Sequence, residues 1–158
     1  MKFILTAALF FSIQFSFAQK LEINSLETIL YTSVNAADAL LKKSKFGLAE
    51  KKSGDGYYNY YYTSYEKPDS NTQLLRSLTI MDVYDGTDTS RFILYRTYNK
   101  KDQEELLLQL SVAGYGLTKR TVNDFTYKKG DHTITNRIVE KDVGGIRKVT
   151  VYEFELGR

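Results

Sequence analysis

Side chains suited to acid–base or nucleophilic chemistry are scarce in this sequence. The chain of 158 residues has one histidine, His132, and no cysteine. Nucleophilic catalysis by serine needs a neighbouring base, but His132 directly follows the turn-forming pair Gly130 and Asp131 at the start of a predicted strand, which is typical of a structural residue. One imidazole without thiolates also falls short of the ligand set that zinc requires. The sequence therefore predicts no catalytic residue, no metal site and no cofactor.

Carboxylates cluster at Asp82, Asp85 and Asp88, around Gly86. Such oxygen ligands suit calcium, but a calcium loop also needs a bidentate glutamate downstream, which this segment lacks. We interpret the segment as a hairpin turn, because Asp-Gly pairs favour tight turns between strands. A carboxylate pair working in general acid–base catalysis leaves no sequence signature, so a hydrolase with an unrecognised acidic pair is kept as a third functional hypothesis.

Tyrosine is the residue type in excess, with 13 copies, of which six lie in the segment 57–65. Alternation in a strand places Tyr58, Tyr60 and Tyr62 on one face, and Tyr57, Tyr61 and Tyr65 on the other. One interpretation of these rows is cross-strand packing on an open sheet face. The other is a contact surface, because exposed tyrosines bind protein partners and stack on sugar rings. Both interpretations stay open, and these six tyrosines are the candidate binding residues.

Residues 1–18 have the features of a cleaved secretory signal peptide. Lys2 supplies a positive start, an almost wholly apolar stretch follows, and the small residues Ser16 and Ala18 precede a cleavage site before Gln19. The alternative is a membrane anchor, which takes about 20 apolar residues, whereas this segment is shorter and interrupted by polar side chains. We expect a periplasmic or secreted protein with no stable membrane insertion after cleavage.

The remaining residues, 19–158, have the length of a single domain. Once Lys2 is removed with the leader, 21 basic and 19 acidic residues remain, for a net charge of +2. Nucleic-acid binding is not expected, because no basic run is followed by base-stacking aromatics. Without disulfides the domain depends on its core alone, and a domain of this length buries about two-thirds of its unfolded surface.

Apolar spacing predicts a helix followed by three strands in each half of the domain. Asn24 and Glu27 form a capping-box pattern at the first helix. Asn35 is a second possible start, so this segment is either one helix or two short ones. Asn99 caps the second helix, which ends at Gly114 or Gly116. The predicted strands are 56–66, 75–84 and 90–98 in the first half, and 125–128, 133–140 and 146–156 in the second.

The two halves share a short sequence element. Lys45-Phe46-Gly47-Leu48 recurs as Gly114-Tyr115-Gly116-Leu117, shifted by 69 positions. We expect Gly47 and Gly116 to end each helix with a positive φ, while the aromatic and leucine residues pack under the sheet. The prediction is an α+β fold of two tandem helix–strand–strand–strand repeats, about 24–98 and 99–158. They form one antiparallel sheet of about six strands with the helices on one face.

This order of elements resembles that of small exported proteins built from tandem helix-plus-antiparallel-sheet units, of which the β-lactamase-inhibitor-like proteins are an example. The small outer-membrane-assembly lipoproteins have a similar single unit. The chain departs from both groups, since it has neither the disulfides of the former nor the lipidated cysteine of the latter. The resemblance implies a non-catalytic protein that binds another macromolecule through an open sheet face. We expect a protein partner in the cell envelope or medium, with a glycan or small ligand as the alternative.

Overall fold

The computed structural model describes residues 21–65, 74–143, 145 and 147–157. The predicted signal peptide lies outside these residues. Three helices and eight strands are formed in this order: α1 (Ile23–Tyr31), α2 (Val34–Lys43), β1 (Gly47–Gly54), β2 (Tyr57–Tyr65), β3 (Leu74–Asp85), β4 (Asp88–Thr97), α3 (Lys100–Val112), β5 (Gly116–Arg120), β6 (Asp124–Lys129), β7 (His132–Val143) and β8 (Arg147–Gly157).

All eight strands form one antiparallel sheet in the order β1-β2-β3-β4-β8-β7-β6-β5. Each half contributes a four-stranded meander, and the two meanders join through β4 and β8 at the centre. The predicted α+β class and single antiparallel sheet are confirmed, whereas the predicted six strands and three-stranded unit are wrong. The two missed strands are β1 and β5, which lie at the sheet edges. Every residue in both is exposed, so neither has the alternation of apolar residues by which a strand is recognised.

The sequence element shared by the two halves forms the same helix end twice. After α2, Lys45 N–H donates to the carbonyl of Lys42, and Phe46 N–H donates to that of Leu41. After α3, Gly114 donates to Ser111 and Tyr115 to Leu110 in the same pattern. This is the Schellman motif, in which a residue of positive φ closes the helix and the next residue packs back on its last turn.

Gly47 and Gly116, which were expected to end these helices with a positive φ, have a different role. The positive φ angles belong to Lys45, at 62°, and to Gly114, at 85°. Gly47 and Gly116 are instead the first residues of β1 and β5. The positive φ expected at Gly47 and Gly116 was therefore wrong by two positions, whereas Gly114, the alternative end predicted for the second helix, is confirmed. The first half was missed because lysine in a left-handed conformation is uncommon and no glycine stands at that point.

The pairing register repeats between the halves as well. Leu48, Tyr62, Leu78 and Tyr95 pair in succession across β1 to β4. Leu117, Tyr127, Ile134 and Leu156 do so across β5 to β8. Each edge strand also shifts register just after its leucine, between Leu48 and Glu50 and between Leu117 and Lys119. A common sequence origin for the two halves stays a prediction, with these matching features in its favour.

The core lies between the three helices and one face of the sheet. Its strand members include Tyr62, Leu78, Ile80, Ile93, Tyr95, Ile134, Phe154 and Leu156, which alternate along their strands with residues of the opposite face. The helices contribute Leu26, Ile29, Leu41, Leu106 and Leu110, among others. Within the part of the chain that the structure describes, all three helices pack on this helix-covered face, and the other is the open face.

Two buried ion pairs fix the helices on the sheet. Arg91 donates from Nε to Asp82 at 2.5 Å and from Nη1 to the carbonyls of Ile29 and Thr32, where α1 ends. Arg76 donates from Nε to Asp102 at 2.7 Å, in the first turn of α3. Removing one partner would leave a buried charge uncompensated, which typically costs about 3–5 kcal/mol. The helices are therefore held at set positions over the strands that carry the open face.

Candidate binding face

One row of candidate tyrosines lies under the helices. Tyr62 is 1% exposed and belongs to the core, and Tyr60 is half-buried beside it. Burial is the largest cause that raises the pKa of Tyr62 to about 12. Tyr58 lies at the end of this row and is exposed, with its ring set edge-on to that of Tyr84. Tyr62 therefore packs in the core, and Tyr58 is the exposed member of this row.

The other row lies on the open face. Tyr57 is exposed and lies across from Gly54, whose missing side chain makes room for the tyrosine ring. Tyr61 is half-buried among residues of neighbouring strands. Tyr65 ends β2, and its side chain lies outside the described residues. Of the six predicted residues, the structure therefore places Tyr57 and Tyr61 on the face that was proposed for binding.

Tyr61 belongs to an apolar patch that also contains Met81, Phe92 and Leu94. These four side chains are half-buried and come from β2, β3 and β4. Register brings them together, because Met81 pairs with Phe92, and Thr79 pairs with both Tyr61 and Leu94. The ring of Phe92 extends over Gly157 of β8, where an added Cβ would lie 2.8 Å from the ring. Glycine at 157 thus allows the patch to continue onto the central strand pair.

The patch forms the floor of a shallow concavity of about 340 Å³. Polar groups at its border come from Asn59, Thr79, Arg96 and Glu155. The Oδ1 atom of Asn59 is buried and has no hydrogen-bond partner within the described residues. An orphaned acceptor costs about 1–3 kcal/mol, and a ligand that donates a hydrogen bond there would recover that cost.

Charged side chains beside the patch are paired with one another. Arg96 donates from Nε to Glu153 Oε1 at 2.7 Å, and Lys141 Nζ lies 3.3 Å from the same oxygen. Burial favours a higher pKa for Glu153, but the hydrogen bonds and charges of Arg96 and Lys141 outweigh it and lower that pKa below its ordinary value. On the next strand, Arg137 lies 3.0 Å from Asp124 and 3.9 Å from Glu155. These pairs neutralise one another, so the border of the patch has no strong preference for a charged ligand.

Sequence reasoning missed Met81, Phe92 and Leu94 as surface residues. A signal existed in the strand 90–98, since four apolar residues follow one another from Phe92 to Tyr95. An uninterrupted apolar run indicates a strand that is apolar on both faces. The alternate residues Ile93 and Tyr95 enter the core, which leaves Phe92 and Leu94 on the open face.

The described residues contain no group of three or more histidine, cysteine, aspartate or glutamate side chains that could hold a metal ion. None of the helices described by the structure is long and apolar enough to cross a membrane. Comparison of the chain with protein-family models, with curated proteins and with solved structures returned no match.

Proposed function

We propose that this protein is a non-catalytic binding module whose open face binds a protein partner. The observation that supports the proposal is the apolar patch of Tyr61, Met81, Phe92 and Leu94, which no element covers within the described residues. Half-buried aromatic and methionine side chains are enriched at the centres of protein interfaces. The partner that fits is one with projecting apolar side chains surrounded by uncharged polar groups.

The shape of the open face favours a macromolecule over a small ligand. The concavity has a floor formed by β2, β3, β4 and β8, and its lining residues all belong to this one sheet. Small-ligand sites usually enclose 70–90% or more of the ligand surface, and a single sheet face lacks the walls to do so. A protein can cover such a face because its own surface supplies the opposite wall.

A small ligand or glycan is the second candidate for the same face. Two observations favour it: the volume of about 340 Å³ falls within the range of small-molecule sites, and the buried Oδ1 of Asn59 has no hydrogen-bond partner within the described residues. Tyr61 and Phe92 offer aromatic rings beside this acceptor. A sugar hydroxyl donating to Asn59 while the ring packs on Tyr61 is the pose that this candidate implies.

The hydrolase hypothesis finds weaker support at this face. Glu153 and Glu155 lie two positions apart on β8, on the same side of the sheet. A general acid in glycoside hydrolysis needs a raised pKa, whereas the pKa of Glu153 is lowered, so this carboxyl stays ionised. We therefore propose that this face binds a partner and does not catalyse a reaction.

We also propose that the protein is exported, on the strength of residues 1–18. An exported protein meets partners of the cell envelope or the medium, as the resemblance to small exported binding proteins implies. Measuring the intact mass of the protein purified from its native host tests whether the protein is exported. A mature chain beginning at Gln19 supports export, and a chain that retains residues 1–18 contradicts it.

Site-specific photo-crosslinking tests the open face. A photoreactive phenylalanine analogue replaces Leu94 in the patch, and in a matched control it replaces Leu108, which is 67% exposed on α3. The variants are produced in the native host, irradiated and analysed by mass spectrometry. We expect one protein to be captured from position 94 and not from position 108.

The other outcomes discriminate the candidates. If position 94 captures only low-mass adducts, the small-ligand candidate replaces the protein partner. Equal capture at both positions, or no capture at position 94, contradicts binding at the open face. Leu94→Asp and Leu108→Asp supply a second readout, because only the former should abolish binding of the captured partner while both retain the wild-type fold.

A further inference from the structure

A polar cleft lies on the helix-covered side of the sheet, away from the open face. It is formed between α1 and the hairpin that joins β6 to β7, and its volume is about 400 Å³. The lining residues are Asn24, Glu27, Thr28 and Tyr31 of the helix, with Lys129 and His132 of the hairpin. Lys129 and His132 are paired directly across the turn, so their side chains enter the cleft from one side.

The walls of this cleft are held together by hydrogen bonds between distant parts of the chain. The hydroxyl of Tyr31 lies 3.1 Å from Nδ1 of His132, and the two rings meet edge-on at 5.6 Å. The hydroxyl of Tyr115 donates to Oε1 of Glu27 at 2.5 Å. Burial, followed by the hydrogen bond to Glu27, raises the pKa of Tyr115, so its hydroxyl stays protonated as a donor. A site built in this way is preorganised, which lowers the entropic cost of binding.

The charges of the cleft nearly cancel. Glu27 contributes a carboxylate, and the ammonium of Lys129 lies 5.6 Å from the ring centre of Tyr115, whose hydroxyl binds Glu27. Glu27 repels an anionic ligand and Lys129 repels a cationic one, so neither sign of ligand charge is favoured. The cleft contains many hydrogen-bond donors and acceptors, from amide, hydroxyl, carboxylate, imidazole and ammonium groups.

The ring of Tyr31 supplies an apolar surface beside these polar groups. Its side chain is 51% exposed, although its hydroxyl is engaged with His132. A ligand that matches the whole arrangement is uncharged, has hydroxyls that both donate and accept, and has a flat C–H face that packs on an aromatic ring. A sugar ring has all three properties.

We propose that this cleft binds a neutral sugar ring, with Tyr31 as the stacking platform and Glu27, Asn24 and Lys129 as hydrogen-bonding groups. Glu27 accepts from sugar hydroxyls, and Lys129 donates to them. His132 orients the ring of Tyr31 through its hydrogen bond. This site is separate from the protein-binding face proposed above, and the two proposals are independent of each other.

Titration of the ¹⁵N-labelled protein, followed by amide chemical shifts, tests the site. The probes are glucose, mannose and N-acetylglucosamine as neutral rings, with glucuronate and glucosamine as charged controls. We expect saturable shifts for at least one neutral sugar at Asn24, Thr28, Tyr31 and His132. Weak single-ring binding corresponds to a Kd on the order of 1 mM, which a titration to about 20 mM detects.

Tyr31→Ala is the informative variant, and Tyr84→Ala is its matched control, since Tyr84 is an exposed tyrosine of similar accessibility on β3. We expect Tyr31→Ala to raise the Kd about tenfold or more while Tyr84→Ala changes it by less than about twofold. Asn24→Ala, at an exposed position of α1, keeps the test decisive if Tyr31→Ala fails to fold. Absence of saturable shifts, shifts confined to the open face, tighter binding of a charged control, or equal losses in both tyrosine variants would each overturn the proposal.

Discussion

At the level of single residues, the buried charge on the open face is the clearest case of an environment that sets chemistry. Glu153 is nearly buried, yet it accepts hydrogen bonds from Arg96 and Lys141. Because its folded-state pKa is lowered, ionised Glu153 stabilises the folded state fully at every pH above its unfolded-state pKa, near 4.5. That contribution is lost as the pH falls through the lower pKa of the folded state.

Glu153→Gln should therefore destabilise the protein in a pH-dependent way. At pH 7 we expect a loss of about 1–3 kcal/mol, the usual worth of a hydrogen bond to a charged group. The difference from wild type should shrink as the pH falls from the unfolded-state pKa through the lower folded-state pKa, where Glu153 itself becomes protonated. Urea unfolding at pH 7, 5 and about 3.5 measures it.

Glu155→Gln is the control for this experiment. Its carboxylate is half exposed and lies 3.9 Å from Arg137, so we expect a loss of less than about 1 kcal/mol at pH 7. A Glu153→Gln deficit that stays constant across the pH series would contradict the electrostatic account and would indicate a loss of packing instead.

The tyrosine cluster shows how one residue type serves several purposes along a single strand. Tyr62 fills the core, Tyr61 lies in the open-face patch, and Tyr58 packs edge-on to Tyr84 with Lys51 over its ring at 5.1 Å. Tyrosine suits all of these places because its ring packs and its hydroxyl tolerates water. Counting tyrosines therefore predicts a packed aromatic strand but not which ring contacts a partner.

At the level of elements, the helix ends determine how each meander begins. The Schellman motif that ends α2 and α3 reverses the chain directly into the edge strands β1 and β5. The residue that needs the left-handed conformation is Lys45 in one half and Gly114 in the other. The two halves thus end their helices with the same geometry, although glycine adopts a positive φ more easily than lysine does.

Substitutions at these positions should have opposite effects. Lys45→Gly should stabilise the protein by about 0.5–1 kcal/mol, because it removes the Cβ strain of a positive φ. Gly114→Ala should destabilise it by about 1–2 kcal/mol for the same reason. Thermal and urea unfolding of both variants measures these shifts.

Gly47→Val and Gly116→Val serve as the contrast. Both glycines begin exposed edge strands, and a Cβ at Gly47 would meet no atom within 4 Å. We expect changes within about 0.5 kcal/mol, as for ordinary surface substitutions. If the valine variants unfold the protein while Gly114→Ala leaves it unchanged, the assignment of the helix-ending residue is wrong.

The edge strands carry protection against unwanted pairing. β1 contains Lys51 and Lys52, β5 contains Lys119 and Arg120, and both strands have an irregular register near their start. Charged side chains and bulges on sheet edges hinder pairing with another chain. These edges are therefore poor candidates for binding by strand addition, which leaves the open face and the polar cleft.

At the level of the whole molecule, the two halves depend on each other. Glu27 of α1 binds Tyr115, Arg76 of β3 binds Asp102 of α3, and the amide of Ile23 donates to Gln109 at 2.9 Å. The central pair β4 and β8 joins strands from opposite halves. Each half thus leaves part of its core and several buried polar groups without partners when the other is removed.

Fragments cut between Tyr98 and Asn99 should therefore not fold alone. We expect each fragment to give the circular dichroism of an unfolded chain without cooperative unfolding, and an equimolar mixture to recover the spectrum and the thermal transition of the intact protein. Cooperative unfolding of either fragment by itself would show that the halves are independent domains.

The order of helices and strands could be predicted from local pattern in most places. Alternation and turn residues located β2, β3, β4, β6, β7 and β8 near their observed positions, because these strands have apolar faces and Gly-containing turns. The strands β1 and β5 were not predicted, because their own side chains are exposed to water and give no apolar pattern. They are stabilised by pairing with a neighbouring strand. The apolar patch could be predicted in part, from the apolar run between Phe92 and Tyr95. The cleft could not be predicted, because Tyr31 and His132 are 101 positions apart in the sequence.

By itself, the amino-acid sequence determined the α+β class, the lack of thiol chemistry and the division of tyrosines into two rows, since composition and side-chain period are local properties. Only the tertiary structure decided that Tyr62 enters the core while Tyr61 lies on the open face. Which side of a strand meets the helices depends on packing between residues far apart in sequence, such as Leu41 with the sheet or Arg91 with the end of α1. The same long-range packing brings α1 against the β6–β7 hairpin and so creates the polar cleft.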